Sequence, residues 1–176
     1  MKKELQYYYV HGLHSSKKAK KFKDIQIKYP NAICLDWLVG DNLAEKIKDW
    51  VEVIKESKLE AVLIGSSTGC NLIVQMNQLL ATSTIHPKTI FLNPLLSLEQ
   101  VLIKELMPEE VEKYISEINY FKDYLLIVSD SDEVLDHKKI SLQIKESNQM
   151  LISENDNHKL LKFKDHFETI DAYIHF

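Results

Sequence analysis

The chain has 176 residues, enough for one domain with its own apolar core, and we expect residues 1–176 to form a single domain. Its formal net charge of −4 disfavours nucleic acid as a partner, since nucleic-acid binders usually carry a basic surplus. Two isolated cysteines, Cys34 and Cys70, exclude a disulfide framework and a four-cysteine metal site. With no signal peptide or membrane span recognisable in the sequence, they predict a cytoplasmic protein.

The sequence alternates short apolar runs with stretches of helical periodicity. The runs predict strands at 5–10, 31–35, 60–64, 88–92, 124–128 and 149–153. The periodic stretches predict helices at 17–28, 42–55, 69–81, 108–118 and 164–175, with Asp41 as N-cap of the second and Pro108 opening the fourth.

This alternation of strands and helices predicts a mostly parallel sheet of about six strands with helices on both faces. Several of the runs are apolar almost without interruption, as expected of strands that are covered on both sides. Functional residues are then expected at the carboxyl ends of the strands. Residues 94–122 exceed what an ordinary crossover needs, so they are a candidate small helical cap over the site.

The strongest local motif is Gly-Ser-Ser-Thr-Gly at residues 65–69, between a predicted strand and a predicted helix. This is the context of a G-x-S-x-G nucleophile elbow, which presents Ser67 on a sharp, strained turn. Gly65 and Gly69 lie two residues before and after it, where the crowded turn leaves no space for side chains. The motif predicts Ser67 as a nucleophile, although a structural glycine-rich turn remains an alternative.

A nucleophile elbow predicts an acid and then a histidine further along the chain. The predicted strand 124–128 is followed by the acidic residues Asp130, Asp132 and Asp136, and the last predicted strand is followed by His158. We expect Ser67, an acid near residue 132 and His158 at the same edge of the sheet. The other histidines, at 86, 137, 166 and 175, are typical of polar loop positions.

An oxyanion hole needs two backbone N–H groups directed at one developing charge. Thr68, directly after the predicted nucleophile, would supply one of them. The loop after the first strand begins His11-Gly12-Leu13, and we expect Leu13 to supply the other, with Gly12 permitting a close backbone approach. His11 would then position this loop.

Together these segments resemble the α/β-hydrolase superfamily, and within it the small YqiA-like esterases. The resemblance is carried by His11-Gly12-Leu13-His14-Ser15-Ser16, the elbow, Leu92-Asn93-Pro94, the segment 131–136 (Ser-Asp-Glu-Val-Leu-Asp), Asn157-His158 and the Phe-rich C-terminus. It implies an α/β-hydrolase fold and ester hydrolysis with Ser67 as nucleophile, Asp132 as acid and His158 as base. The chain differs from the family pattern at Cys70, at Ser131 and in a histidine loop without glycine.

The predicted function is therefore cleavage of a small carboxylic ester or thioester, with no cofactor and no metal. Two alternatives remain. The sequence GSSTG also resembles the phosphate loop of flavodoxins, although that loop normally follows the first strand, so a flavin- or phosphate-binding module is one of them. The other is a non-catalytic binding protein with a hydrolase fold. The sequence does not indicate the oligomeric state.

Overall fold

The computed structural model describes residues 4–176 and confirms a six-stranded, fully parallel sheet. The strands occur in the order β2-β1-β3-β4-β5-β6. Their bounds are Leu5–Val10 (β1), Ile33–Cys34 (β2), Glu60–Ser66 (β3), Lys88–Leu92 (β4), Leu125–Ser129 (β5) and Gln149–Ser153 (β6). Because all strands are parallel, the loops after β1, β3, β5 and β6 meet at one edge of the sheet.

Six α-helices of the described residues alternate with the strands: Lys20–Lys28 (α1), Leu43–Glu56 (α2), Thr68–Ala81 (α3), Glu109–Glu112 (α4), Leu142–Glu146 (α5) and Phe167–His175 (α6). Short 3-10 turns lie at Leu98–Gln100, Lys104–Leu106, His137–Lys139 and Phe163–His166. No helix within residues 4–176 is long and apolar enough to cross a membrane.

Two apolar layers hold the sheet between its helices. On one face, Phe22 and Ile25 of α1 pack with Ile170 of α6 against alternate residues of the central strands. On the other face, α2, α3 and α5 pack against the remaining strand residues. Each fully buried Leu, Ile or Phe contributes roughly 1.5–3 kcal/mol, so both layers fix the positions of the strand ends.

The sequence predicts one helix over residues 108–118, but α4 ends at Glu112. Side chains of α3 bind the backbone that follows. Asn71 donates to the carbonyl of Ser116 and accepts from its N–H, and Gln75 donates to the carbonyl of Tyr114. These hydrogen bonds hold the chain in an irregular conformation in place of further helical turns.

The N-cap predicted for α2 is also wrong by one residue. Asn42 is the cap, and its side chain accepts from the N–H of Glu45. Asp41 instead accepts from the N–H of Leu38, in the turn that leads into the helix.

Candidate active site

Ser67 lies between the end of β3 and the start of α3, with φ 51° and ψ −119°. A positive φ is strained for a residue other than glycine, and such strain concentrates at functional sites. The surrounding backbone holds it there. The N–H of Ser67 donates to the carbonyl of Leu92 at 2.9 Å, and its carbonyl accepts from the N–H groups of Cys70 and Leu95.

The glycines on either side of this turn lie against other backbone. A Cβ at Gly65 would lie 2.9 Å from Cα of Cys70. A Cβ at Gly69 would lie only 2.2 Å from the carbonyl oxygen of Val10, at the end of β1. No side chain fits at either position without moving the backbone, so the turn requires both glycines.

Asp132 and His158 are hydrogen-bonded to each other across two loops. His158 Nδ1 lies 2.9 Å from Oδ2 and 3.0 Å from Oδ1 of Asp132. Asp132 Oδ1 also accepts from the N–H groups of Val134 and Leu135, each at 2.8 Å. Asp130 and Asp136, the alternative acids, bind backbone N–H groups instead, Asp130 in the loop after β6 and Asp136 as the cap of the turn at His137–Lys139.

A second histidine contacts the same acid. The sequence indicates a plain loop residue at His137, but its Nε2 lies 2.7 Å from Asp132 Oδ2, while its buried Nδ1 has no partner within residues 4–176. The Nε2–H tautomer of His137 can donate to the carboxylate of Asp132. Burial opposes ionisation of Asp132, but the hydrogen bonds from His137 and His158 hold the pKa of its carboxyl well below the usual range.

The loop that carries His158 contains no glycine and is organised by a buried carboxylate. Asp156 is only 4% exposed and accepts hydrogen bonds from its own loop and from the end of β6. The donors are Ser153 Oγ and the N–H groups of Asn157, Leu161 and Lys162. Burial opposes its ionisation, yet these donors keep the pKa of Asp156 below its ordinary value.

Two further side chains fix the backbone of His158. The buried Asn93, after β4, donates to the carbonyls of Asn157 and His158 and accepts from the N–H of Ser129. Glu133 accepts from the N–H of His158 at 3.0 Å. Both belong to segments that carry the family resemblance, but the sequence did not reveal that they hold the histidine loop.

The loop after β1 packs directly on the serine. A Cβ at Gly12 would lie 3.0 Å from Cβ of Ser67. Within residues 4–176 the N–H groups of Leu13 and Thr68 have no hydrogen-bond acceptor, and Thr68 opens α3, where the first N–H groups have no partner in the helix. Among the described residues both predicted oxyanion donors are therefore unpaired, one directly after Gly12 and the other directly after Ser67 in the chain.

His11 anchors this loop to the segment after β2. Its buried ring stacks on Trp37 with centroids 5.4 Å apart. His11 Nδ1 donates to the carbonyl of Gly12, and Nε2 lies 2.9 Å from Asp36 Oδ1. The indole N–H of Trp37 returns a hydrogen bond to the carbonyl of His11. His11 thus fixes the loop that contains Leu13.

Ser67 and His158 line one cavity of about 460 Å³, a size suited to a small molecule. Among residues 4–176 the Ser67 hydroxyl has no direct hydrogen bond to His158, as is common for such pairs before substrate binds. The cavity walls come from the loop after β1, from α1 and from residues 158–163. None of its lining residues comes from the candidate cap at 94–122.

The region offers neither a thiol nucleophile nor a metal site among residues 4–176. Cys70 is fully buried behind the elbow, and burial raises the pKa of its thiol, so it is not an activated nucleophile. Within residues 4–176, His, Cys, Asp and Glu side chains form no group of three or more able to hold a metal ion.

The parallel sheet, the strained serine after β3 and the acid–histidine pair after β5 and β6 define a member of the α/β-hydrolase superfamily. The chain belongs to the family described as UPF0227, an uncharacterised protein family, whose model matches residues 6–175. No curated protein matches its sequence.

Solved structures share the fold at low sequence identity. The type II thioesterase BorB from the borrelidin biosynthetic cluster has a TM-score of 0.70 and 10% identity, over 99% of this chain and 93% of that one. Alpha/beta hydrolase domain-containing protein 10 from mouse has a TM-score of 0.69 and 16% identity, over 96% of this chain and 89% of that one. A monoacylglycerol lipase from Paleococcus ferrophilus has a TM-score of 0.66 and 11% identity, over 96% of this chain and 93% of that one. These likenesses establish the α/β-hydrolase fold.

Proposed function

We propose that this protein is a serine hydrolase that cleaves carboxylic esters or thioesters through an acyl-enzyme. The observation that carries the proposal is the shared cavity of Ser67 and His158, in which the histidine is bound through Nδ1 to Asp132. Nucleophile, base and acid follow β3, β6 and β5, as the α/β-hydrolase order requires. Thioesterases and lipases among the proteins of similar fold support the same reaction class.

In the first half of the reaction, His158 Nε2 takes the proton of the Ser67 hydroxyl as Oγ attacks the carbonyl carbon. The tetrahedral intermediate collapses, the bond from carbon to the alcohol oxygen or thiol sulfur breaks, and His158 protonates the leaving group. Water then attacks the acyl-enzyme and gives a proton to His158. That proton returns to Ser67 Oγ as the carboxylic acid departs.

The remaining groups lower the energy of the charged intermediates. The N–H groups of Leu13 and Thr68 would stabilise the oxyanion, since both lack acceptors among residues 4–176. Asp132 would hold Nδ1–H of His158, which leaves Nε2 free to accept the serine proton, and would stabilise the imidazolium. No step needs a cofactor.

The decisive experiment is labelling with a fluorophosphonate, followed by mass spectrometry of the modified peptide. We expect the label on Ser67 and complete loss of labelling in Ser67→Ala. His158→Ala should lower kcat about as much as Ser67→Ala, roughly 10⁴- to 10⁶-fold, because the groups act as a unit. His86→Ala, an exposed histidine outside the cavity, is the matched control and should retain activity.

A label on Cys70 or on any residue other than Ser67 would overturn the assignment. A folded protein that reacts with no serine-directed probe would favour the non-catalytic binding protein, and a bound-flavin absorbance band would favour the flavin-binding alternative. Aryl esters from acetate to palmitate, assayed beside acyl-CoA thioesters, identify the substrate class. We expect short or medium acyl chains to react fastest, since residues 94–122, the segment left for a cap by the sequence, are too few to build a large lid.

A further inference from the structure

The cavity beside Ser67 contains a lysine that the reaction above does not use. Lys21, in the first turn of α1, lines this cavity, and its Nζ donates to Ser66 Oγ at 2.9 Å. Ser66 precedes the nucleophile and also hydrogen-bonds the buried Tyr9. One of the three ammonium N–H groups is thus bound, and the ammonium is held at the residue that precedes Ser67, in the same cavity.

This lysine lacks a neutralising carboxylate in the part of the chain that the structure describes. Within residues 4–176, Lys21 Nζ has no acidic oxygen at ion-pair distance. Burial lowers its pKa to about 8, although the more distant charges of Asp156 and Asp132 act in the opposite direction. At neutral pH Lys21 is therefore mostly charged, half-buried and without a counter-ion among these residues.

The other charged residues that line the cavity do not supply a counter-ion for Lys21. Asp24 is the acidic residue of the lining, and it is already paired with Lys20 at 2.9 Å and Lys164 at 3.1 Å. Lys159 also lines the cavity, is exposed, and has no ion pair within residues 4–176. Three lysines and one carboxylate thus line the cavity, and neither Lys21 nor Lys159 has an ion pair within residues 4–176.

We propose that this cavity binds an anionic group of the substrate, a carboxylate or a phosphate, with Lys21 as its counter-ion. The proposal rests on the ester hydrolysis proposed above and narrows its substrates to esters or thioesters that carry a negative charge. A half-buried ammonium has lost part of its hydration, and a substrate anion restores favourable interactions that a neutral acyl group cannot provide. Ser66 keeps the ammonium in position before the substrate arrives.

Matched esters test this preference. On the acyl side, p-nitrophenyl hemiglutarate is compared with p-nitrophenyl valerate, which has the same chain length and leaving group but no charge. On the alcohol side, 4-carboxyphenyl acetate is compared with 4-carbamoylphenyl acetate. The ratio of kcat/KM within each pair is measured at pH 7 for the wild type, for Lys21→Met and for Lys23→Met, an exposed lysine of the same helix outside the cavity.

We expect the wild type to favour the charged ester in at least one pair, and that pair identifies the side of the substrate that occupies the cavity. Lys21→Met should reduce the ratio about 10- to 100-fold, mainly by loss on the charged ester, whereas Lys23→Met should keep it. An unchanged ratio in Lys21→Met, or a wild type that prefers both neutral esters, overturns the proposal.

Direct binding separates this proposal from the proposed reaction. Glutarate is titrated by calorimetry into Ser67→Ala and into Ser67→Ala with Lys21→Met, after both are shown to fold by circular dichroism. If no ester is cleaved but glutarate binds only when Lys21 is present, the anion site stands and the hydrolase proposal fails. If esters are cleaved without a charge preference that depends on Lys21, and glutarate does not bind, the hydrolase stands and the anion site is wrong.

Discussion

The substitution Asp132→Asn tests whether Asp132 is the acid, because it alters the hydrogen bonds that this side chain makes. The carboxylate accepts from two backbone N–H groups through Oδ1 and lies within hydrogen-bond distance of two histidines through Oδ2. If the amide oxygen of the substituted asparagine keeps the two backbone donors, its NH₂ group takes the place of Oδ2. That group then faces the N–H groups of His137 and His158, and neither hydrogen bond can form as before.

The size of the effect follows from these lost contacts. His158 would shift its proton to Nε2 to accept from the amide, and Nε2 could then no longer take the serine proton, so kcat should fall about 10²- to 10⁴-fold. Hydrogen bonds to charged groups contribute roughly 1.5–3 kcal/mol each and neutral ones about 1 kcal/mol, so losing the bond to His137 and replacing the bond to His158 by a neutral one should lower the free energy of unfolding by about 2–4 kcal/mol. Ester turnover measures kcat, urea unfolding measures the free energy of unfolding, and ¹⁵N NMR of the His158 ring reports which nitrogen carries the proton.

Asp136→Asn is the matched control, because within residues 4–176 the Asp136 side chain accepts only from the N–H of Lys138, at 3.0 Å, and asparagine caps equally well. Its kcat should stay within about threefold of the wild type, since the change is remote from the proton transfer. The reasoning is refuted if Asp136→Asn silences the enzyme and Asp132→Asn does not. An Asp132→Asn protein with the wild-type ring tautomer at His158 would refute it equally.

Three further predictions address the rest of the site. Gly69→Ala forces a Cβ to 2.2 Å from the carbonyl of Val10, so we expect a loss of more than about 3 kcal/mol and a Tm lower by roughly 10 °C; an unchanged Tm in calorimetry contradicts this. The lowered pKa of Asp156 stabilises the fold above the unfolded pKa of about 4 and this contribution fades as pH falls. Asp156→Asn should therefore be less stable than the wild type at pH 7, and the difference in Tm should narrow in thermal melts as the pH falls below the unfolded pKa of about 4. Excess EDTA should leave kcat/KM unchanged, since every proposed group is a side chain or a backbone amide; loss restored by zinc or magnesium would argue for a metal.

The sequence predicts the sheet and most of the helices, because those depend on local patterns. The strand runs and the helices α1, α2, α3 and α6 have periodicities that belong to each segment alone. The helix at 108–118 is overestimated since its end is set by Asn71 and Gln75 of α3, far away along the chain. Such tertiary hydrogen bonds leave no mark on the local pattern.

The site likewise contains features that depend on local sequence and features that depend on tertiary contacts. The glycines of the elbow are recognisable because their spacing reflects crowding within one turn. The pairing of His137 with Asp132 depends on a short 3-10 turn, and the position of Lys21 depends on how α1 crosses the sheet, so neither could be predicted. The single-domain organisation, the cap at 94–122 and the cytoplasmic location stay predictions.

The two halves of the site are joined to the protein by different means. Gly69 touches the carbonyl of Val10, so the turn of Ser67 and the end of β1 meet backbone to backbone. His158, by contrast, is placed by the side chains of Asp156 and Asn93. Exchanging those side chains can therefore shift His158, whereas a side chain at Gly69 would have to displace the backbone that holds Ser67.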